Sequence, residues 1–115
     1  MSVWCGADSR IAALIKAMGF RHVRFTFNEA TVLDPEEPAV LNPDKLKRFE
    51  EAIDMMLAAD LALIVDFHPE DSYKKGVDQD VAAVENFVGM WRALARHLSS
   101  RDPEKVFFEV MNSRL

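Results

Sequence analysis

Three apolar runs of this chain carry polar side chains that could do chemistry. They are Arg24 in His22-Val23-Arg24-Phe25-Thr26-Phe27, Asp66 and His68 in Leu61 to His68, and Glu109 and Asn112 in Val106 to Asn112. Strand side chains alternate between faces. If Val23, Phe25 and Phe27 pack inward, Arg24 and Thr26 share the second face, as do Asp66 with His68, and Glu109 with Met111 and Ser113. A sheet covered on both sides would fill that second face with aliphatic residues, because an unpaired buried charge costs several kcal/mol. A closed barrel can instead direct such groups toward a polar mouth at its carboxyl end. The pattern therefore points to a barrel enzyme more clearly than to any one reaction. Arg24 reads equally as the partner of Glu109 or Asp66 and as a cation poised for a ligand. His68, at a strand end before Pro69, reads as a site residue, whereas His22 and His97 read as surface residues.

The elements that must position these groups alternate between helix and strand. Asp8 is placed to cap a helix with Ile11, Leu14, Ile15 and Met18 on one face, and Gly19 is placed to end it. The strand His22 to Phe27 follows. A long polar segment, Asn28 to Leu41, leads to Asn42-Pro43-Asp44, which joins a cap residue, a proline suited to the first helical position and an acid facing the helix dipole. That helix should bury Leu46, Phe49, Ile53, Met56 and Leu57. The run Leu61 to Phe67 suits a strand covered on both faces in a parallel sheet. A second polar segment, Pro69 to Gln79, precedes a helix with Val84, Phe87, Val88, Trp91, Leu94 and Leu98 on one stripe; Ser99 to Glu104, with Asp102-Pro103, breaks that helix before the last strand.

Single helices between strands imply β-α-β units and a parallel sheet. The expected order is α-β-α-β-α-β, with no strand ahead of the first helix. Long connections at the carboxyl ends of parallel strands are where α/β proteins place their sites, so Asn28 to Leu41 and Pro69 to Gln79 form the expected functional surface. Tyr73 and Trp4 are the stacking candidates there, while Trp91 and Phe87 belong to the core stripe. Asp34, Glu36, Glu37 and Asp71 lack the ligand spacing of a cation loop and read as a solvated acidic surface.

Composition narrows the classes. The 115 residues are half hydrophobic, enough for one domain with a real core. A formal net charge of -5 argues against a nucleic-acid or anionic-membrane partner. Cys5 is the single cysteine, which excludes an internal disulfide or a cysteine-cluster metal site, and it reads as an inert thiol. No run approaches the roughly 20 apolar residues of a membrane span, and Met1 to Gly6 is too short and uncharged for a secretory signal. No Gly-rich phosphate loop and no Ser-His-Asp signature occurs, and no cofactor is implied.

Four motifs in order carry a family resemblance: Gly19-Phe20 at a helix end, His22-Val23-Arg24 and Asp66-Phe67-His68 in strands, and Phe108 to Asn112. Together they resemble the N-terminal half of a glycoside hydrolase family 5 barrel, a cellulase-like fold. The resemblance implies an α/β class, a partial (β/α)8 TIM barrel with about three parallel strands alternating with three helices. It implies retaining hydrolysis of β-linked glucan or mannan, an oligo- or polysaccharide partner, and the secretion usual in the family. By it, Arg24 would hold the nucleophilic carboxylate ionised, His68 would contact the sugar, and Asn112 would hydrogen-bond the sugar 2-hydroxyl.

The departures set further expectations. A complete barrel takes about 250 residues, so residues 1–115 are expected to form a single partial barrel domain, a fragment cut at the fourth strand. Retaining glycosidases need two carboxyl groups about 5 Å apart. The acid/base position falls on Ser113, and Glu109 sits too far below the mouth to replace it. The chain alone is therefore expected to be inactive. The alternatives are a half-barrel that self-associates through exposed strand edges and a non-catalytic carbohydrate-binding module.

Overall fold

A computed structural model describes residues 2–4, 9–37 and 40–111. Its elements run β1 (Ser2–Trp4), α1 (Ser9–Ala17), β2 (His22–Phe27), α2 (Glu29–Val32), α3 (Pro43–Ala58), β3 (Ala62–Phe67), α4 (Asp71–Gln79), α5 (Val81–Leu98) and β4 (Val106–Glu109). The four strands form one parallel sheet in the order β1-β2-β3-β4. The expectation that no strand precedes the first helix is corrected. Residues Ser2 to Trp4 pair in register with Arg24 to Thr26, and a run of three residues is too short to show a period of its own. The proposed cap Asp8 and the thiol of Cys5 lie outside the described residues.

Alternation in β2 and β3 places Val23, Phe25, Phe27, Leu63, Val65 and Phe67 against the helices, all fully buried. Helix α3 meets them with Leu46, Phe49, Ile53 and Met56, and α5 with Met90, Leu94 and Leu98. Phe49 lies 4.9 Å from Phe27 and 5.7 Å from Phe25, ring centre to ring centre, in tilted contacts that suit the ring quadrupoles. The start of α3 is the one expected: the Asn42 side chain accepts from the backbone N–H of Asp44 and Lys45, with Pro43 at the first turn. Gly19 follows α1 with φ of 94°, a conformation that suits a residue without Cβ.

Both long polar segments hold helices. The capping box between Asn28 and Thr31 starts α2, and α4 runs through Asp71 to Gln79 with no buried residue. In α5 the buried stripe includes Met90, while Val84 and Val88 are exposed; in α1, Ala12 and Ile15 are buried and Leu14 and Met18 are exposed. No described helix is long and apolar enough to cross a membrane.

The base of the sheet is clipped electrostatically. Asp60, in the left-handed region with φ of 62°, accepts from Lys16 Nζ at 3.2 Å and from Lys105. Three segments, the ends of α1 and α3 and the entry to β4, thus meet at one carboxylate. On the helical layer, Arg101 grips Asp54 through Nε and Nη2 at 3.0 and 2.9 Å and Glu50 at 3.1 Å.

Candidate functional site

The sheet face opposite the helices carries the polar groups. Register places Thr26 beside Asp66 and Asp66 beside Glu109, one row across three strands, with Arg24 and Ile64 in the row below. From that lower row Arg24 Nη1 donates to Glu109 Oε2 and lies 3.9 Å from Asp66 Oδ2. Asp66 is 1% exposed. Its Oδ2 accepts from the Thr26 hydroxyl at 3.4 Å, and its Oδ1 has no hydrogen-bond partner among the described residues. A buried carboxylate with one weak hydrogen bond depends on the neighbouring guanidinium for compensation. Of the two readings of Arg24, the ion pair with Glu109 is the observed arrangement. The guanidinium nonetheless remains partly exposed.

Above this row the strands end in a polar rim. The backbone N–H of His68, just past β3, donates to the carbonyl of Phe27 at 2.8 Å, which fixes where the imidazole leaves the sheet. Asn28 Nδ2 donates to Glu70 Oε1 at 3.5 Å, and the Glu70 backbone N–H donates to the Glu29 carboxylate at 3.1 and 3.2 Å. The loops after β2 and β3 are thus joined side to side, His68 opening the second of them. Sequence reasoning missed Glu29 and Glu70 because both sat in segments read as structureless. The usable signal was Asn28 three residues before Thr31, a local capping pattern.

Tyr73 does not sit in a loop as expected. It lies in α4, its ring edge-on to Phe67 at 5.5 Å, and its buried hydroxyl has no partner among the described residues. Burial first, and Glu29 second, push the phenol up to about 12. It packs, half-buried, against Phe67 from a helix and not from a loop. Trp91, expected in the core, contacts Phe27, Phe67 and Phe108, and its Nε1 donates to the Val110 carbonyl at 2.8 Å. Asp34 spends its carboxylate on the Glu36 backbone N–H at 2.9 Å. Asn112 and Ser113, and the side chain of Trp4, lie outside the described residues. Of the expected site residues the structure therefore describes two: Arg24, in the row of Ile64 on the polar face, and His68, just past the carboxyl end of β3.

Toward the strand starts, and reaching up to the row of Arg24, a concavity of about 500 Å³ is lined by Arg21, His22, Ala62, Leu63, Ile64 and Phe107. It is apolar and distant in character from the rim, and it belongs to the floor of the sheet.

Comparison with known proteins gives a consistent result. Residues 1–113 match the model of Cellulase (glycosyl hydrolase family 5). The endoglucanase Cel5A of Thermotoga maritima, solved with cellobiose, superposes with a TM-score of 0.77 at 22% identity, covering 97% of this chain and 40% of that one. A tri-modular endo-β-1,4-glucanase of Bacillus licheniformis, complexed with cellotetraose, gives 0.78 at 18% identity, covering 92% and 21%. A broad-specificity endoglucanase of Clostridium longisporum gives 0.79 at 22%, covering 92% and 30%. The chain spans two fifths or less of the length of these structures. No match was found among curated proteins. The expected fold class holds: parallel strands alternating with helices, corresponding to the N-terminal part of a TIM barrel.

Proposed function

The chain belongs to glycosyl hydrolase family 5, and from that membership we propose that its polar rim is part of a cleft for β-linked glucan or mannan. The observation that carries this reading is the polar sheet face on which Arg24, Asp66 and Glu109 meet, below the carboxyl end where His68 follows β3. Arg24 is the cation that would hold a nucleophilic carboxylate ionised, His68 contacts the sugar, and Asn112 hydrogen-bonds the 2-hydroxyl, a contact that strengthens in an oxocarbenium-like transition state. Residues 1–115 act here as a single partial barrel domain.

In this reading the family reaction is retaining hydrolysis, and the 115-residue chain does not perform it alone. Ser113 stands at the acid/base position, and a hydroxyl does not protonate a leaving group near neutral pH. Asp66 and Glu109 offer no substitute pair, since both are engaged with Arg24 or Thr26 beneath the rim. The test is calorimetric titration of the chain with cellohexaose and mannohexaose, with chromatography of the same samples for shorter sugars. Binding without products is expected. Products that scale with chain concentration would overturn the inactivity, and absence of binding to either sugar would overturn the cleft.

A second reading, assembly of the chain into an oligomer, is favoured by the open edges of β1 and β4. Among the described strands, β1 pairs only with β2 and β4 only with β3.

A further inference from the structure

Helix α2 is four residues long yet is held at both ends. At its start the Asn28 backbone N–H donates to the Thr31 hydroxyl oxygen at 3.1 Å, and that hydroxyl donates back to Asn28 Oδ1 at 3.1 Å. At its end Lys45 Nζ of α3 donates to the carbonyls of Ala30 and Leu33 at 2.9 and 3.3 Å. Glu29, its first residue, is therefore carried on a fixed base. The Glu29 carboxylate reaches a residue 41 positions along the chain and accepts the Glu70 backbone N–H at both oxygens, 3.1 and 3.2 Å. Hydrogen bonds to an ionised acceptor are stronger than those between neutral groups. Glu70 is also the N-cap of α4, so the same bond sets where that helix begins.

His68 lies between two pinned amides. Its own N–H donates to the Phe27 carbonyl at 2.8 Å. Pro69, which is buried, has no N–H and a fixed φ, so the next backbone donor along the chain is that of Glu70. The torsions left between the two anchors are φ and ψ of His68 and ψ of Pro69, and a residue before proline is already biased to extended backbone. With both ends held, the Cα–Cβ bond of His68 keeps one direction. We propose that Glu29 is a positioning residue: by accepting the Glu70 N–H it fixes the backbone on the far side of His68 and so aims the imidazole. That the aimed imidazole meets a sugar rests on the cleft reading above; the aiming itself is a property of this chain and is measured without a sugar.

The test is nuclear magnetic resonance, urea unfolding and calorimetric titration of the 115-residue chain, Glu29→Ala, Glu29→Gln, His68→Ala and the double variant Glu29→Ala with His68→Ala. In Glu29→Ala, exchange of the Glu70 amide should quicken about tenfold and the imidazole C–H signals of His68 should shift, while the urea midpoint, set by the sheet core, stays. Glu29→Gln keeps an acceptor oxygen at the same reach and should restore both signals. Cellohexaose binding should weaken about fivefold in Glu29→Ala, recover in Glu29→Gln, and lose nothing further when Glu29→Ala is added to His68→Ala. An unmoved imidazole beside a freed Glu70 amide would overturn the proposal, since the buried Pro69 ring would then suffice. A further loss of binding in the double variant would overturn it by making Glu29 a sugar contact in its own right. A urea midpoint that falls in step with binding would overturn it by showing general loosening. If the wild-type chain binds no cellohexaose, the cleft reading fails and the His68 signals alone decide the proposal. Should Glu29→Ala lose its helical dichroism, Glu29→Asp takes its place with the same expectations: it keeps an acid in the first turn of α2 and is one methylene shorter.

Discussion

Arg24 and Glu109 join hands across an intervening strand. The guanidinium on β2 donates to the carboxylate on β4, and Asp66 on β3 lies beneath the bridge, 3.9 Å from the same nitrogen. Two residues 85 positions apart thereby determine whether a buried carboxylate is tolerated between them.

The first prediction follows from that dependence. Arg24→Met should destabilise the chain by about 1–2 kcal/mol, less than the figure for a fully buried pair because the guanidinium is partly exposed. Arg24→Met with Asp66→Asn should recover most of the loss, since the amide needs no cation. Urea unfolding of the two single variants and the double variant measures the coupling. Strict additivity would show that Asp66 is compensated by something else.

A second prediction concerns acid. Lys105 and then Lys16 hold the Asp60 carboxyl below its ordinary 3.8, and Asp60 in turn raises Lys105. A depressed carboxyl contributes stability that is present above its unfolded value and lost as pH falls through the folded one. The difference in urea midpoint between wild type and Asp60→Asn should thus be constant near neutrality and shrink below about pH 3.8. Asn tolerates the left-handed φ at this position, so the substitution removes charge without adding backbone strain. A difference that persists unchanged to pH 2 or so would mean the lysines do not act through this carboxylate.

How much of this could be read in advance differs by element. Val23, Phe25 and Phe27 announce a one-sided strand by alternation, and Asn42-Pro43-Asp44 announces a helix start through local capping chemistry, so both were legible. Arg24, Asp66 and Glu109 were legible as sharing a face, because parity alone places them there. The bridge between the outer two needed the register, which only the folded sheet supplies. Helix α4 was hidden because Asp71, Ser72 and Lys75 give it no buried stripe; contact with its neighbours, not hydrophobic period, holds it. Leu14 and Met18 were expected to be buried with Ile15, yet α1 lies at the edge of the sheet and has a surface to cover on one flank only. The tie of Glu29 to Glu70 joins two loops 41 residues apart and has no signature in either.

A third prediction uses the chain's only tyrosine. The Tyr73 phenol, pushed to about 12, should titrate in ultraviolet absorbance well above the ordinary 10.0. Because burial favours its neutral form, the stability it contributes is complete below pH 10.0 and lost as pH rises toward about 12. Tyr73→Phe removes a buried hydroxyl without a partner among the described residues. It should be neutral or stabilising by up to about 1 kcal/mol. A loss larger than that would reveal a hydrogen bond to the hydroxyl.

The last prediction separates the rim from its support. His68 stands at the top of the face, its position fixed by the backbone bond to Phe27, whereas Glu109 lies a layer lower and holds Arg24. If the rim binds sugar, His68→Ala should weaken cellohexaose binding about tenfold, equal to 1.4 kcal/mol, with little change in the urea midpoint. Glu109→Gln should do the opposite first: lower the midpoint, because Arg24 loses its charged acceptor, while binding falls only as far as Arg24 drifts from its place. Calorimetric titration and urea unfolding of the same two variants distinguish these patterns. Equal losses of binding and stability in both would mean that the face is one structural unit with no separate contact surface, and the assignment of His68 to the sugar would fail.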